Sequence, residues 1–447
     1  MIKIFIRSKI ILALIVFTIV IPKSTKAYSV LTHEALIDAS WQKSILPLLK
    51  YKYPSATDDD LKKAHAYAYG GALVADMGYF PFGSEYFTDL SHYARSGDFV
   101  QALLSEAQNL DEYAFALGSL CHYMADKYGH SIATNRVVPI VYPEMEEKFG
   151  HVVTYGDDHS SHSRVEVSFD VLQIAKGNYA TQGYHDLIGF EVSKPVLERA
   201  FLKTYGQDIN TLFGDLNLAI GSFRWSVKSL LPTVVRTAWV IKKNDIKKQN
   251  PAANARSFHY TMSKKAFNKE FGAVRQKPGF KAEVLSFLIR VLPKVGPFKA
   301  LRFRDVGPEG EKLFIRSFDT TQAHYSEALT KLRDGKIVLP DVDYDTGKPT
   351  TIGEYELCDK TYGELIDKLA ATKFNNLTAP LQNNILSFYN NADTVQLARE
   401  YPKDWKKKNL DLQMLKAATP IKNDSLKTSK GIYYKLNEPA TPPTTGK

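Results

Sequence analysis

His122, Asp126 and His130 follow one another at intervals of four, and His162 and Glu166 are again four apart. Residues four apart on an α-helix differ by about 40° around its axis, so each pair aims its donor atoms from one face. His130, a turn beyond Asp126, remains within about 80° of His122. The stretch carrying these three, residues 111–132, is apolar almost all round: Tyr113, Ala114, Phe115, Leu117, Leu120, Cys121, Tyr123 and Met124 leave little wet face. A helix of that kind belongs at the centre of a bundle. An ionised carboxylate there costs several kcal/mol unless a positive group meets it, and a bound cation is a direct way to supply one. Taken singly, His122 reads more readily as a hydrogen-bonded core histidine than as a ligand, and Asp126 as a partner of Lys127 or another base. Two i,i+4 pairs and a further i+4 histidine, taken jointly, predict ligation.

Strand alternation is scarce, whereas 3.6-residue patterning recurs over 31–50, 58–76, 97–108, 111–132, 187–205, 208–230 and 310–333, so the class is all-α, a multi-helix bundle. Thr57-Asp58-Asp59-Asp60 reads as an N-cap with acidic first-turn residues, and Asn109 with Asp111 and Glu112 does the same for the central helix. Residues 160–176 are ambiguous, because Val165, Val167, Phe169 and Val171 alternate as a strand would. Ligand geometry separates the readings: His162 and Glu166 would lie about 13 Å apart on a strand, too far for one ion, and about 6 Å apart on a helix. The run is therefore read as helix, ended by Lys176-Gly177.

Residues 1–27 carry Lys3, Arg7 and Lys9, an apolar run from Ile10 to Ile21, and small residues near Ala27. This is the pattern of a secretory signal peptide cut before Tyr28, implying a secreted or periplasmic protein. Only two cysteines occur, Cys121 and Cys358, so no disulfide framework supports the fold, although the two could pair once. The net charge of +10 is unevenly spread: residues 28–223 hold 14 Lys/Arg against 25 Asp/Glu, and residues 224–304 hold 19 against 3. The acidic portion suits cation binding and the basic portion an anionic surface. The expected organisation is a catalytic helical domain over 28–235, a basic helical insert over 236–304, a helical extension over 305–415, and a Lys/Ser/Thr/Pro-rich disordered tail over 416–447.

Two upstream candidates, Asp76 in Ala-Asp-Met-Gly and His92 in Asp-Leu-Ser-His-Tyr, complete the donor set together with His33. His65, Asp89, His151 and His159 compete for the same roles and read as surface or supporting groups. The ordered series Tyr28, His33, Asp76, His92, His122-x-x-x-Asp126, His130, His162-x-x-x-Glu166 resembles the zinc-dependent phospholipase C family over roughly residues 28–230. That resemblance implies a helical bundle of the zinc phospholipase C type and a trinuclear Zn2+ site. Asp76, His92, His122 and Asp126 would hold one ion, and His130, His162 and Glu166 a second. His33, bridging Asp126 and the amine and carbonyl of Tyr28 would hold the third, which makes removal of the leader a condition of activity. The family offers no counterpart for the chain after about residue 240.

Clustered zinc with N/O donors can bind a phosphodiester and acidify water, so no side-chain nucleophile is required. Consistently, the chain has no Gly-x-Ser-x-Gly elbow, no phosphate-cradling Gly-rich loop and no cysteine in a reactive context. Asp76 is the candidate general base. The expected activity is phospholipase C-type hydrolysis of phospholipids. Phe287, Leu288, Ile289 and Leu292 among Arg290, Lys294, Lys299, Arg302 and Arg304 suit contact with an anionic membrane surface, or equally an ordinary helical subdomain with a solvated face. Two alternatives stand beside it: a zinc-dependent single-strand nuclease or nucleotidase acting on nucleic acid, and a non-catalytic secreted helical protein with structural zinc. The donors are too many for one closed site and too few for three, which favours catalytic ions.

Overall fold

Apolar residues at helical spacing dominate the chain, and the computed structural model is helical throughout, with no strand among the residues it describes: 30–176, 178–179, 188–230, 247, 251, 304–390 and 402–431. Two isolated bridges, Val342 with Pro349 and Thr378 with Ile421, are the nearest approach to sheet. The first helix, α1 (Val30–Ser40), passes through a π-turn into α2 (Leu46–Lys52). Helix α3 (Asp58–Gly71) starts at a complete capping box: the Thr57 side chain accepts from the Asp60 N–H, and the Asp60 carboxylate accepts from the Thr57 N–H. It ends at Gly71, earlier than the pattern suggested, so Asp76 rides on a separate 3-10 segment, Val74–Tyr79.

Helices α4 (Glu85–Tyr93) and α5 (Ser96–Glu106) lead to α6 (Leu110–Gly129), which the Asn109 side chain caps by accepting from the Glu112 N–H. As its composition requires, α6 is buried on nearly every face and packs against α1, α3 and α5. The contact with α3 is unusually close. A Cβ on Gly118 would lie 2.0 Å from Ala68 O, and one on Gly71 would lie 1.9 Å from Phe115 O, so only glycine allows the two backbones to approach this far.

A π-turn over His130–Thr134 then leads into α7 (Asn135–Val141) and α8 (Pro143–Phe149). Residues His159–Lys176 form α9, which settles the ambiguous alternating run as helix. Helices α10 (Lys194–Tyr205) and α11 (Leu216–Trp225) close the first half.

The second half does not stand apart. Helix α12 (Gly307–Arg333) lies along α6, and the buried Tyr325 hydroxyl donates to Leu117 O. Helix α13 (Glu356–Ala371) packs on α4, and α14 (Ala379–Tyr389) and α15 (Pro402–Ala417) pack on each other. A single apolar cluster runs from Val30 to Leu415 and includes Phe115, Phe169, Tyr325, Tyr344 and Leu365. The expected disordered tail needs correction over 416–431: Leu426 is fully buried, Ile421 N–H donates to Leu377 O, and the Asn376 side chain donates to Lys427 O. A few apolar residues dock this otherwise polar stretch, which composition alone could not reveal.

Residues 1–29, with the expected leader and Tyr28, most of the basic segment and residues 432–447 lie outside the described residues. Cys121 and Cys358 are both buried free thiols, so the possible pairing is not made. No helix among the described residues is long and apolar enough to cross a membrane.

Candidate metal centre

Four elements meet at Asp126 on α6. His33 comes from α1, with Nε2 3.1 Å from Asp126 Oδ1, and its ring stacks on His122 at 4.7 Å. His122 sits one turn before Asp126, its Nε2 3.1 Å from Oδ2. His92, at the end of α4, places Nε2 3.5 Å from Asp126 Oδ2 and 3.4 Å from Asp76 Oδ1. Two of these rings are fixed from behind by the backbone: His122 Nδ1 donates to Ala72 O and His92 Nδ1 to Thr88 O, each over 2.9 Å. Both Nε2 lone pairs therefore point inward at the carboxylates.

The second cluster forms where α6 gives way to the π-turn and faces α9. Glu166 Oε1 lies 2.9 Å from His162 Nδ1 and 3.4 Å from His130 Nε2. The wide turn at 130–134 lets His130 leave the axis of α6, so it joins His162 and Glu166 and not His122. Three groups of donor atoms lie within 4.8 Å of one another: His33, His122 and Asp126; Asp76, His92 and His122; and His130, His162 and Glu166.

Burial makes this arrangement demanding. All eight residues are at most 4 % exposed, and among the described residues the ion-pair partners of Asp76, Asp126 and Glu166 are histidines alone. Lys127 turns away to sit over the Tyr128 ring, 5.3 Å from its centroid. Asp76 Oδ1, Asp126 Oδ2, Glu166 Oε1, His92 Nε2, His122 Nε2 and His162 Nδ1 are buried atoms without a hydrogen bond of good geometry. Buried nitrogen and oxygen donors converging in this way are what a divalent cation with N/O preference satisfies, so the residues fit zinc.

The electrostatics agree. Burial tends to lower the His92 pKa, but hydrogen bonding and charge from Asp126 and Asp76 outweigh it and raise the value to about 9. His33 and His130 are likewise raised against burial, by Asp126 above all. Burial would raise Asp126, yet the His122 and His130 charges and the His122 and His33 contacts hold it well below the usual carboxylate range. Protons and cations compete for these same nitrogens.

The competitors stay out of the cluster. His65 pairs with Asp38 at 2.8 Å and stacks on Trp41, His151 is exposed beside Glu146, His159 stacks on Tyr155, and Asp89 faces Lys360. More informative are residues that the sequence reading passed over. A hairpin over Asp341–Thr350, pinned by Asp343 N–H to Lys348 O and by the Val342–Pro349 bridge, inserts its tip between the two clusters. The Tyr344 N–H donates to His92 O, and its ring lies 5.0 Å from His92 and 5.7 Å from His122. Next to it, Asp345 Oδ1 lies 3.2 Å from His130 Nδ1. The signal available in the sequence was Asp345-Thr-Gly347-Lys-Pro349, a turn pattern preceded by acids at Asp341 and Asp343.

Fold and site together define an all-helical protein with a buried, histidine- and carboxylate-lined centre able to hold several cations. Residues 32–215 match the family model described as zinc dependent phospholipase C, and this match supports a likeness of that segment to the family. Zinc dependence and phospholipase C-type hydrolysis are the family's properties. Comparison with curated proteins and with solved structures gave no match. The eight clustered donors all fall inside the matched segment, whereas Tyr28 precedes it and Tyr344 and Asp345 follow it.

Proposed function

We propose that the chain is a secreted zinc-dependent phosphodiesterase that hydrolyses phospholipids and releases a diacylglycerol-type alcohol and a phosphorylated head group. The observation that carries this reading is the convergence of five histidines and three carboxylates into one buried centre where the acids have only imidazole partners. His33, His122 and Asp126 would hold one ion, together with the amine of a processed Tyr28; Asp76 and His92, with His122 and Asp126, would hold a second; His130, His162 and Glu166 would hold a third. When bound, zinc supplies positive charge to the phosphodiester oxygens and acidifies a water for attack.

The protein's own groups do the rest. Asp126, reached by His33 on one oxygen and by His122 and His92 on the other, ties two clusters to fixed positions. Ala72 O and Thr88 O keep both histidine rings in the tautomer whose Nε2 faces inward. Asp76, a carboxylate beside His92 at 3.4 Å, is the group that would accept the proton of the attacking water. Tyr79, Tyr155 and Tyr344 surround the histidines with aromatic faces and keep the centre poor in competing water. The basic segment 224–304, mostly outside the described residues, brings the enzyme to anionic lipid.

Metal analysis of the processed protein, combined with hydrolysis of a chromogenic phosphodiester, tests the reading. Wild type should carry about three ions and lose turnover on chelation, and Asp126→Asn should lose both ions and activity. Turnover retained in Asp126→Asn removes the shared role of that carboxylate. N-terminal sequencing should begin at Tyr28. Hydrolysis of single-stranded DNA in preference to phospholipid vesicles, with steep salt dependence, would replace the lipid reading by the nuclease one.

A further inference from the structure

Asp345 touches the third donor cluster twice, from outside the segment that matches the family model. Its side chain places Oδ1 3.2 Å from His130 Nδ1, on the far side of the ring from Glu166. Its main-chain carbonyl accepts from Asn135 Nδ2 at 2.6 Å. That contact orients the Asn135 amide so that its oxygen faces His162 Nε2, 3.0 Å away. Since an amide oxygen can only accept, His162 carries its proton on Nε2 and presents the Nδ1 lone pair to Glu166. By the same logic a carboxylate beside His130 Nδ1 keeps the proton there and frees Nε2 for the cluster.

The carboxylate is itself held. Asp345 Oδ2 accepts from the Tyr93 hydroxyl at 2.9 Å and from the Tyr355 hydroxyl at 2.5 Å, and the Tyr355 hydroxyl also accepts the Gly156 N–H. Next to it the Tyr344 N–H donates to His92 O, which fixes the hairpin tip against α4. Asp345 is 2 % exposed. A buried acid whose oxygens meet two tyrosines and one histidine, and no Lys or Arg among the described residues, has no evident purpose in packing alone.

We propose that Asp345 is a positioning residue that sets the tautomer and orientation of both histidines in the His130–His162–Glu166 cluster, so that the metal centre is completed by the C-terminal half of the chain. This assignment rests on the metal reading of the previous section. It separates from that reading because it concerns one cluster of the three.

The test is titration of metal-depleted full-length protein with Zn2+ against a competing chelator, for wild type, Asp345→Asn, Asp345→Ala, Tyr355→Phe and Asn135→Ala. Loss of an outer carboxylate partner of a ligating histidine costs about 10- to 100-fold in metal affinity. Asp345→Asn and Asp345→Ala should weaken one ion by that factor and leave the others unchanged. Tyr355→Phe, which removes one of two hydroxyls from the carboxylate, should weaken the same ion less, and Asn135→Ala should weaken it through His162. Nitrogen-15 spectra of the histidines supply a second readout: the Nδ1–H form of His130 should be lost in Asp345→Ala and kept in Tyr355→Phe. Should Asp345→Ala fail to fold, Tyr355→Phe and Asn135→Ala decide. Unchanged affinity for every ion in the folded variants overturns the assignment while leaving the metal centre intact. A wild-type protein that binds no zinc overturns the reading of the centre itself and this assignment with it.

Discussion

Asp341 anchors the base of the hairpin that reaches the metal centre. Its Oδ1 accepts the Asp98 N–H at the start of α5, and its Oδ2 accepts from Asn384. Burial and the neighbouring Asp98 charge raise its pKa to about 6, against which the Asp98 and Gly97 N–H groups and Arg95 act only in part. Below about pH 4 the carboxyl is protonated in both native and unfolded chains. Between about 4 and 6 the native state keeps a proton that the unfolded state has released, so this group's contribution to stability falls as pH rises. Asp341→Asn cannot ionise. Its unfolding free energy relative to wild type should therefore shift in the variant's favour by roughly 2–3 kcal/mol between those pH values, whatever offset the altered Asn384 contact adds. Urea denaturation at pH 4, 5, 6 and 7 measures it; a difference independent of pH would mean Asp341 is not protonated in the native state.

Helix α6 carries His122 and Asp126, α3 leads into the segment that carries Asp76, and the separation of the two helices is set by Gly71 and Gly118. Replacing Gly118 with alanine puts a methyl group 2.0 Å from Ala68 O, where the obstacle is backbone and cannot rotate away. The helices must separate, at a cost of about 3 kcal/mol or more, even though alanine favours helix intrinsically. Because Ala72 O orients His122, the same separation should weaken zinc binding as well as lower the melting temperature. Calorimetry with zinc titration of Gly118→Ala checks both; a variant as stable as wild type would show that the packing relaxes. Much at this scale was legible in the sequence. The patterns over 58–76, 97–108 and 111–132 gave helices, and the Thr57 and Asn109 caps fall where composition put them. The short α4, which carries His92, was not legible, because nine residues of mixed polarity form a helix here through burial against α13 and the Asp76 segment.

For the whole molecule, the absence of a boundary between the two halves among the described residues has a direct consequence. Phe314, Tyr325, Tyr344, Cys358 and Leu365 share one core with Phe115 and Phe169. A chain ended near residue 235 would expose the flank of α6 that α12 covers and would also lack Asp345. It should fail to give a cooperative thermal transition, whereas the full chain should unfold in one; a truncated chain with a sharp transition and full zinc binding would show that the matched segment is independent. The sequence by itself determined the class, the central helix and the pairing of His122 with Asp126 and of His162 with Glu166, because helical periodicity and the cost of burying charge are local rules that act on spacing, whereas His33, Asp76 and His92 were singled out by the family resemblance. Only the tertiary structure decided how those donors divide into clusters and that Asp345, Asn135 and Tyr344 stand behind them. A contact between residues 130 and 345 depends on where a hairpin docks, and no spacing along the chain encodes that.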